Sequence, residues 1–321
     1  MTRLVIVAPN WLGDAVMSLP AIADLRRGSP DATLAVAAKA AVVPLFRMVR
    51  DVDEVIEKGT ARMAGDIGLL LPNSFRSAVE VVRAGIPQRW GYRTDCRGPL
   101  LTRAVACAPA GTHQVDNYQH LVHALGFPNG PAQPRLDLTP EIRAAGGRAL
   151  EDAGWDRSAP LVALAPGGAY GSAKRWPPQH FAALVRALAA DGVGAAIVGT
   201  AADEPTARAI EAELGRDRAL IIDLVGRTTV PTLAGVLAQV RALVANDSGV
   251  MHLGAALGVP TTALFGPTDE RLTAPRTASA QAVLTHPVWC RPCMLRECPL
   301  EHQCMRGISV AAVAGAARSM A

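Results

Sequence analysis

Ala242-Leu243-Val244-Ala245-Asn246-Asp247-Ser248-Gly249-Val250-Met251-His252 passes from an apolar strand through a short polar turn directly into a helix. The first amides of a helix lack intrahelical partners and lie at the positive end of its dipole, so this junction is a site for an anion. Ser248 and Gly249 allow close approach to the backbone, and Asp247 and His252 are in reach of sugar hydroxyls or phosphate oxygens. Capping of the helix by Asp247 or Ser248 is the plainer alternative. A second junction lies upstream. The strand Leu161–Ala165 leads into Pro166-Gly167-Gly168-Ala169-Tyr170-Gly171-Ser172-Ala173-Lys174-Arg175-Trp176-Pro177, and a helix begins near Pro178 with Phe181, Leu184, Val185 and Leu188 on one face. The spacing is neither that of a P-loop nor that of the dinucleotide fingerprint. What it offers a diphosphate is Lys174 and Arg175, with Ser172 and the amides of glycines such as Gly168 as further donors; a solvated loop with incidental charges is the alternative.

Around these junctions strands and helices alternate. Strands are expected at 4–8, 33–37, 54–56 and 67–71, with helices at 15–27, 41–49 and 75–84. After a less regular middle, strands recur at 161–165, 195–199, 220–224, 242–245 and 261–265, separated by helices near 179–191, 204–214, 232–240 and 250–257. The pattern is α/β, two Rossmann-like doubly wound domains, expected at residues 1–155 and 156–321 and facing a central cleft. A chain of 321 residues has room for two such cores.

Half of the residues are apolar and 19% are charged, an ordinary globular balance. The apolar start meets Asn10 and Asp14 too soon for a signal peptide, and no apolar run is long enough to cross a bilayer. A cytoplasmic protein is expected, with peripheral contact at the inner membrane surface compatible. Six arginines between Arg76 and Arg103 face only Glu80 and Asp95, so that segment carries a charge equal to the net +4 of the whole chain. Such a patch suits an acidic, phosphorylated partner, or is a solvated face. Aromatic residues at 4% and the lack of a binding module argue against nucleic acid. Behind the first strand, Asp14 falls at or near a helix start, where dipole and amides favour the ionised form of a base or of a cap.

The segments Asn10–Ser18, Leu71-Pro72-Asn73-Ser74-Phe75-Arg76-Ser77-Ala78, Pro166–Pro177, Asn246–His252 and Phe265-Gly266-Pro267-Thr268, in this order along nearly the whole chain, resemble glycosyltransferase family nine, the bacterial ADP-heptose:lipopolysaccharide heptosyltransferases. The resemblance implies the GT-B architecture, with the acceptor on the first domain and the nucleotide sugar on the second. It implies a metal-independent, inverting transfer of heptose from ADP-heptose to a phosphorylated lipopolysaccharide core, with Asp14 as general base and Lys174 on the diphosphate. Gly168, Ser172, Arg175, Asp247, Ser248, Gly249 and His252 complete the nucleotide-sugar set, Asp203 or its neighbour Glu204 meets the ribose, and Asn10, Asn73, Arg76 and Arg93 are acceptor contacts. A nucleotide-sugar epimerase of the same architecture and a nonenzymatic metal-bearing scaffold are the competing readings.

Cys290, Cys293, Cys298 and Cys304 crowd one loop, with His302 nearby. Their spacing admits four thiolates on a structural zinc or an iron–sulfur cluster, though not at zinc-ribbon intervals. Packed free thiols and paired disulfides are the alternatives, the disulfides disfavoured in a reducing compartment.

Overall fold

The computed structural model describes residues 1–320, and the chain divides into two compact units, Met1–Asp137 and Leu138–Ala321. The first runs β1 (Arg3–Val7), α1 (Leu12–Met17), α2 (Leu19–Gly28), β2 (Thr33–Ala38), α3 (Val43–Phe46), β3 (Glu54–Glu57), β4 (Ile67–Leu70), α4 (Phe75–Arg83), β5 (Gln88–Tyr92), β6 (Arg103–Val105) and α5 (Gln114–Ala124). The second runs α6 (Pro140–Asp152), β7 (Leu161–Ala165), α7 (Pro178–Ala190), β8 (Gly194–Ile197), α8 (Glu204–Leu214), β9 (Ile221–Asp223), α9 (Val230–Leu237), β10 (Ala242–Asn246), α10 (Gly249–Ala256), β11 (Thr261–Phe265), α11 (Glu270–Thr273), β12 (Gln281–Thr285), α12 (Gln303–Arg306) and α13 (Val310–Met320). The join expected at 155 lies inside the second unit, because α6 packs along α9 there.

Each unit holds one six-stranded parallel sheet, β3-β2-β1-β4-β5-β6 and β12-β11-β10-β7-β8-β9. Counted from its own first strand, each has the order 3-2-1-4-5-6. The central strands are buried over almost their whole length, as strands covered by helices on both faces must be, which is why they read as unbroken apolar runs. Strand order reverses between β1 and β4, where Val5 pairs with Gly68, and between β7 and β10, where Leu164 pairs with Val244. At such a reversal the helices leave the carboxyl edge in opposite directions and a crevice opens.

Several expectations change in detail. The single helix at 15–27 is two, α1 and α2, because Pro20 cannot donate to the turn before it and Ser18 turns its hydroxyl back to the Ala15 carbonyl at 2.7 Å. The helix at 41–49 shrinks to the one turn of α3, which carries Pro44. Strands β5, β6 and β12 were not expected, since Gln88, Arg89, Arg103 and Gln281 interrupt their apolar runs.

Helices α6 and α9 meet through Gly146 and Gly235. A Cβ on Gly146 would lie 1.9 Å from the Gly235 carbonyl carbon, and one on Gly235 would lie 2.1 Å from the Ile142 oxygen. Backbone against backbone cannot yield as a side chain can. Gly146→Ala is therefore expected to destabilise the second unit by about 3 kcal/mol despite alanine's better helix propensity. Gly315→Ala on α13, where nothing lies within 4 Å, should instead be neutral or stabilising. Urea unfolding of the two variants checks the contrast, and equal stabilities would refute the close crossing.

Candidate functional site

In the second unit, the reversal between β7 and β10 gathers most of the expected nucleotide-sugar residues. Asn246, the last residue of β10, is buried and staples the neighbouring loop. Its Nδ2 donates to the Pro166 and Gly167 carbonyls at 2.7 and 3.3 Å, and its Oδ1 accepts from the Trp176 amide at 3.3 Å. Trp176 is buried too and donates its indole N–H to the Ile308 carbonyl at 3.0 Å, which anchors the far end of the loop. Between these anchors Ser172–Lys174 form one tight turn.

Lys174 Nζ donates to Asp247 Oδ2 at 2.5 Å, and the Thr268 hydroxyl donates to the same oxygen at 2.7 Å. Both charged side chains are largely buried, 12% and 6% exposed. Lys174 also stands over the Tyr170 ring, 4.8 Å from its centroid. Thus Asp247 orients the lysine rather than capping the helix. An ammonium has three donors, so the pairing leaves Lys174 able to serve a second anion. Directly beyond, Ser248 enters α10 in extended conformation, and its side chain caps nothing. Its Oγ is buried without a partner among the described residues, as is Nε of Arg175. Buried polar atoms are seldom left so, and these two occur on the two loops of one sheet reversal. His252 lies buried one turn into α10, and Gly168 is buried in the β7 loop.

Asp203 is placed at the same edge but its carboxylate is engaged. Oδ2 accepts from the Thr200 amide and hydroxyl, both at 2.9 Å, closing a capping box. Its other oxygen lies so near Gly167 that a Cβ there would come within 2.5 Å of it. Glu204 is exposed and pairs with Arg208 at 2.8 Å.

In the first unit the corresponding reversal, between β1 and β4, carries Asp14 and Asn73. Asp14 occupies the first turn of α1, behind the exposed Asn10 and the exposed Trp11 at the N-cap. Burial pushes the Tyr118 phenol on α5 well above its ordinary pKa, and the charge of nearby Asp14 pushes it the same way. After β4, Ser74 caps α4 by accepting from the Ser77 amide at 3.3 Å, and Asp95 accepts from the Phe75 amide at 2.5 Å. Asn73 is exposed; Arg76, 89% exposed at the side chain, reaches Glu80 at 3.2 Å, and Arg93 extends from the end of β5. Two further cations at this edge escaped the sequence reading. Lys39 and Lys58 directly follow the paired strands β2 and β3, and Lys58 shares Glu80 with Arg76 at 3.4 Å. Burial lowers the Lys58 pKa, with Glu80 opposing. Their positions one residue past a strand end were the available signal. Arg97, one of the six clustered arginines, is fully buried here instead of lying on a solvated face.

Cys290, Cys293 and Cys298 are half-buried, Cys304 is buried, and all four are free thiols. Cys298 Sγ accepts from the amides of Leu300 and His302 at 3.4 and 3.3 Å. Burial raises the Cys304 thiol pKa, helped by the other three cysteines. Among the described residues, no three His, Cys, Asp or Glu side chains stand as a ready metal set.

Residues 58–304 match the sequence model of Glycosyltransferase family 9 (heptosyltransferase). The chain is 31% identical over 304 residues to lipopolysaccharide heptosyltransferase 2 of Salmonella typhimurium, covering 88% of this chain and 87% of that protein. The structure of E. coli ADP-heptose lps heptosyltransferase II superposes with a TM-score of 0.86 at 27% identity, over 99% of this chain and 98% of that one. A family 9 glycosyl transferase from Veillonella parvula shares the fold, with a TM-score of 0.85 at 20% identity over 99% and 97% of the two chains.

Proposed function

Because the chain belongs to glycosyltransferase family 9, we propose that the two sheet reversals serve one reaction: inverting transfer of heptose from ADP-L-glycero-D-manno-heptose to the inner core of lipopolysaccharide, of the heptosyltransferase 2 kind. The fold class is GT-B, the second unit holding the donor and the first the acceptor. The observation that carries the donor assignment is the buried Lys174–Asp247–Thr268 cluster beside the unpartnered Ser248 hydroxyl and the opening amides of α10. These groups match a diphosphate in charge and geometry.

In this reading Asp14 takes the proton of the acceptor hydroxyl as its oxygen attacks the anomeric carbon. The bond from that carbon to the ADP oxygen breaks on the opposite face, and its electron pair leaves with the diphosphate. Lys174, Arg175 and the α10 amides stabilise the charge that grows there. Gly168, Ser172, Gly249 and His252 line the donor side, Asp203 or Glu204 serves the ribose, and Asn10, Asn73, Arg76 and Arg93 meet the acceptor. The transfer needs no cofactor. The acceptor is phosphorylated, matching the cations at the first unit's edge, and its lipid brings the enzyme to the cytoplasmic face of the inner membrane. No described helix is long and apolar enough to cross a membrane.

A structural metal on Cys290, Cys293, Cys298 and Cys304 is supported by the two amides aimed at Cys298 Sγ, a feature of metal-bound thiolates. The side chains would have to draw together to hold it.

The test uses the full-length protein with ADP-heptose and a truncated core acceptor. ADP release that requires acceptor, with product heavier by one heptosyl unit, is expected. Isomerised nucleotide sugar without acceptor would replace the reading with an epimerase, and absence of ADP binding by calorimetry would replace it with a scaffold. Elemental analysis of the same preparation decides the metal. Ser248→Ala adds a finer check: with no bond to lose, stability should change by less than about 0.5 kcal/mol, while donor KM rises several-fold. An unchanged KM would remove Ser248 from the donor site.

A further inference from the structure

Arg97, on the turn after β5, is fully buried, 0% exposed, an uncommon place for a guanidinium. It lies beneath the β4–α4 loop. Its Nε donates to the Tyr92 carbonyl at 2.8 Å, and its Nη1 donates to the Pro72 carbonyl, to the Ser77 hydroxyl at 3.1 Å and to the Ser74 carbonyl at 3.4 Å. Nη2 faces Asn73 Oδ1 at 3.5 Å. Gly91 makes the room: a Cβ there would stand 3.3 Å from Nη2.

Every one of these acceptors is neutral. Among the described residues no carboxylate forms an ion pair with Arg97, and Asp95, which favours its charged form, spends an oxygen on the Phe75 amide instead. Burial accordingly lowers the Arg97 pKa. Buried charges are normally paired, because desolvating one without a partner is costly. Here the cost is borne under the one loop that presents Asn73 and Arg76 at the sheet reversal. The positive end of α4 faces the same loop and adds to that charge, while Asp95, on the Phe75 amide, offsets part of both. With Lys58, Arg76 and Arg97 against Glu80 and Asp95, a positive excess remains behind this edge, while the buried guanidinium itself cannot be touched by a ligand.

We propose that Arg97 is a positioning residue for the acceptor: its fork sets the shape of Pro72–Ser77, and its unpaired charge draws an acceptor phosphate onto Asn73 and Arg76. The phosphate then adds to the partial counter-charge that Asp95 supplies without forming an ion pair. This rests on the transfer reaction assigned above and names which part of the acceptor the first unit reads. A scaffold role alone would require the hydrogen bonds but gain nothing from the charge.

The experiment compares Arg97→Met and Arg97→Lys in the full chain, with a core acceptor carrying its phosphates and the same acceptor after chemical dephosphorylation. In wild type, the phosphorylated acceptor should have the lower KM. In Arg97→Met, KM for the phosphorylated acceptor should rise about tenfold, with a change of about twofold or less for the dephosphorylated one and an unaltered donor KM. Arg97→Lys, which keeps the charge and loses the fork, should retain the preference at reduced kcat; if Arg97→Met fails to fold, this variant decides alone. An equal rise in KM for both acceptors in Arg97→Met, or a folded Arg97→Lys without the preference, would overturn the proposal. So would a wild-type enzyme that transfers to both acceptors with equal KM, an outcome that leaves the transfer reaction standing. A wild-type enzyme that transfers to neither would instead sink the reaction itself.

Discussion

Asp14→Asn is expected to lower kcat by about 10²- to 10⁴-fold, the usual worth of a positioned general base, while leaving ADP affinity unchanged. The substitution keeps the side chain's shape in the first turn of α1 and removes only its ability to take a proton. A capping residue would behave differently. Asparagine caps as well as aspartate does, so a purely structural Asp14 predicts near-normal turnover. Single-turnover kinetics with ADP-heptose, beside calorimetric titration of ADP, separates the two, and a variant within about threefold of wild type would end the assignment.

Lys174→Met should injure both activity and stability. The lysine shares a buried oxygen of Asp247 with Thr268, and its removal leaves that oxygen with the Thr268 hydroxyl as its only donor among the described residues. Breaking a buried pair at one end costs about 3–5 kcal/mol. Catalytically, loss of a cation beside the departing diphosphate should reduce kcat by about 10²- to 10³-fold and raise donor KM. The double variant Lys174→Met with Asp247→Asn separates the effects: stability should largely return because no unpaired charge remains, whereas turnover should not. Thermal unfolding and steady-state kinetics provide both readouts. Recovery of activity in the double variant would show that Lys174 matters only as a partner for Asp247.

What the sequence disclosed of this architecture follows from its physics. Strands such as Leu161–Ala165 and Ala242–Asn246 are covered on both faces, so they are apolar throughout and stand out against the polar loops that follow them. Those loops emerge at the sheet edge, which is why Asp14, Lys174 and Ser248 could be named from the sequence as candidates there. Strand β12 was hidden because an edge strand tolerates Gln281 and Thr285 facing solvent. Arg97 was counted among the clustered arginines, but its burial was hidden for a different reason. Its partners are mostly main-chain carbonyls, and no side-chain pattern records where a carbonyl points. Asp203 was readable in principle, since Thr200-Ala201-Ala202-Asp203 has the spacing of a capping box, but proximity to a ribose site and a helix start call for the same residue type.

The Asn246 staple has a chemical vulnerability. Its amide nitrogen points at two carbonyl oxygens, so hydrolysis of that amide to a carboxylate would place a negative oxygen where a donor had been, facing two acceptors that cannot reorient. The β7 loop would be repelled from the strand that holds it, and Lys174 would move with it. Deamidation of this one side chain would thus loosen the donor loop and, by burying an unpaired charge, weaken the second unit around it.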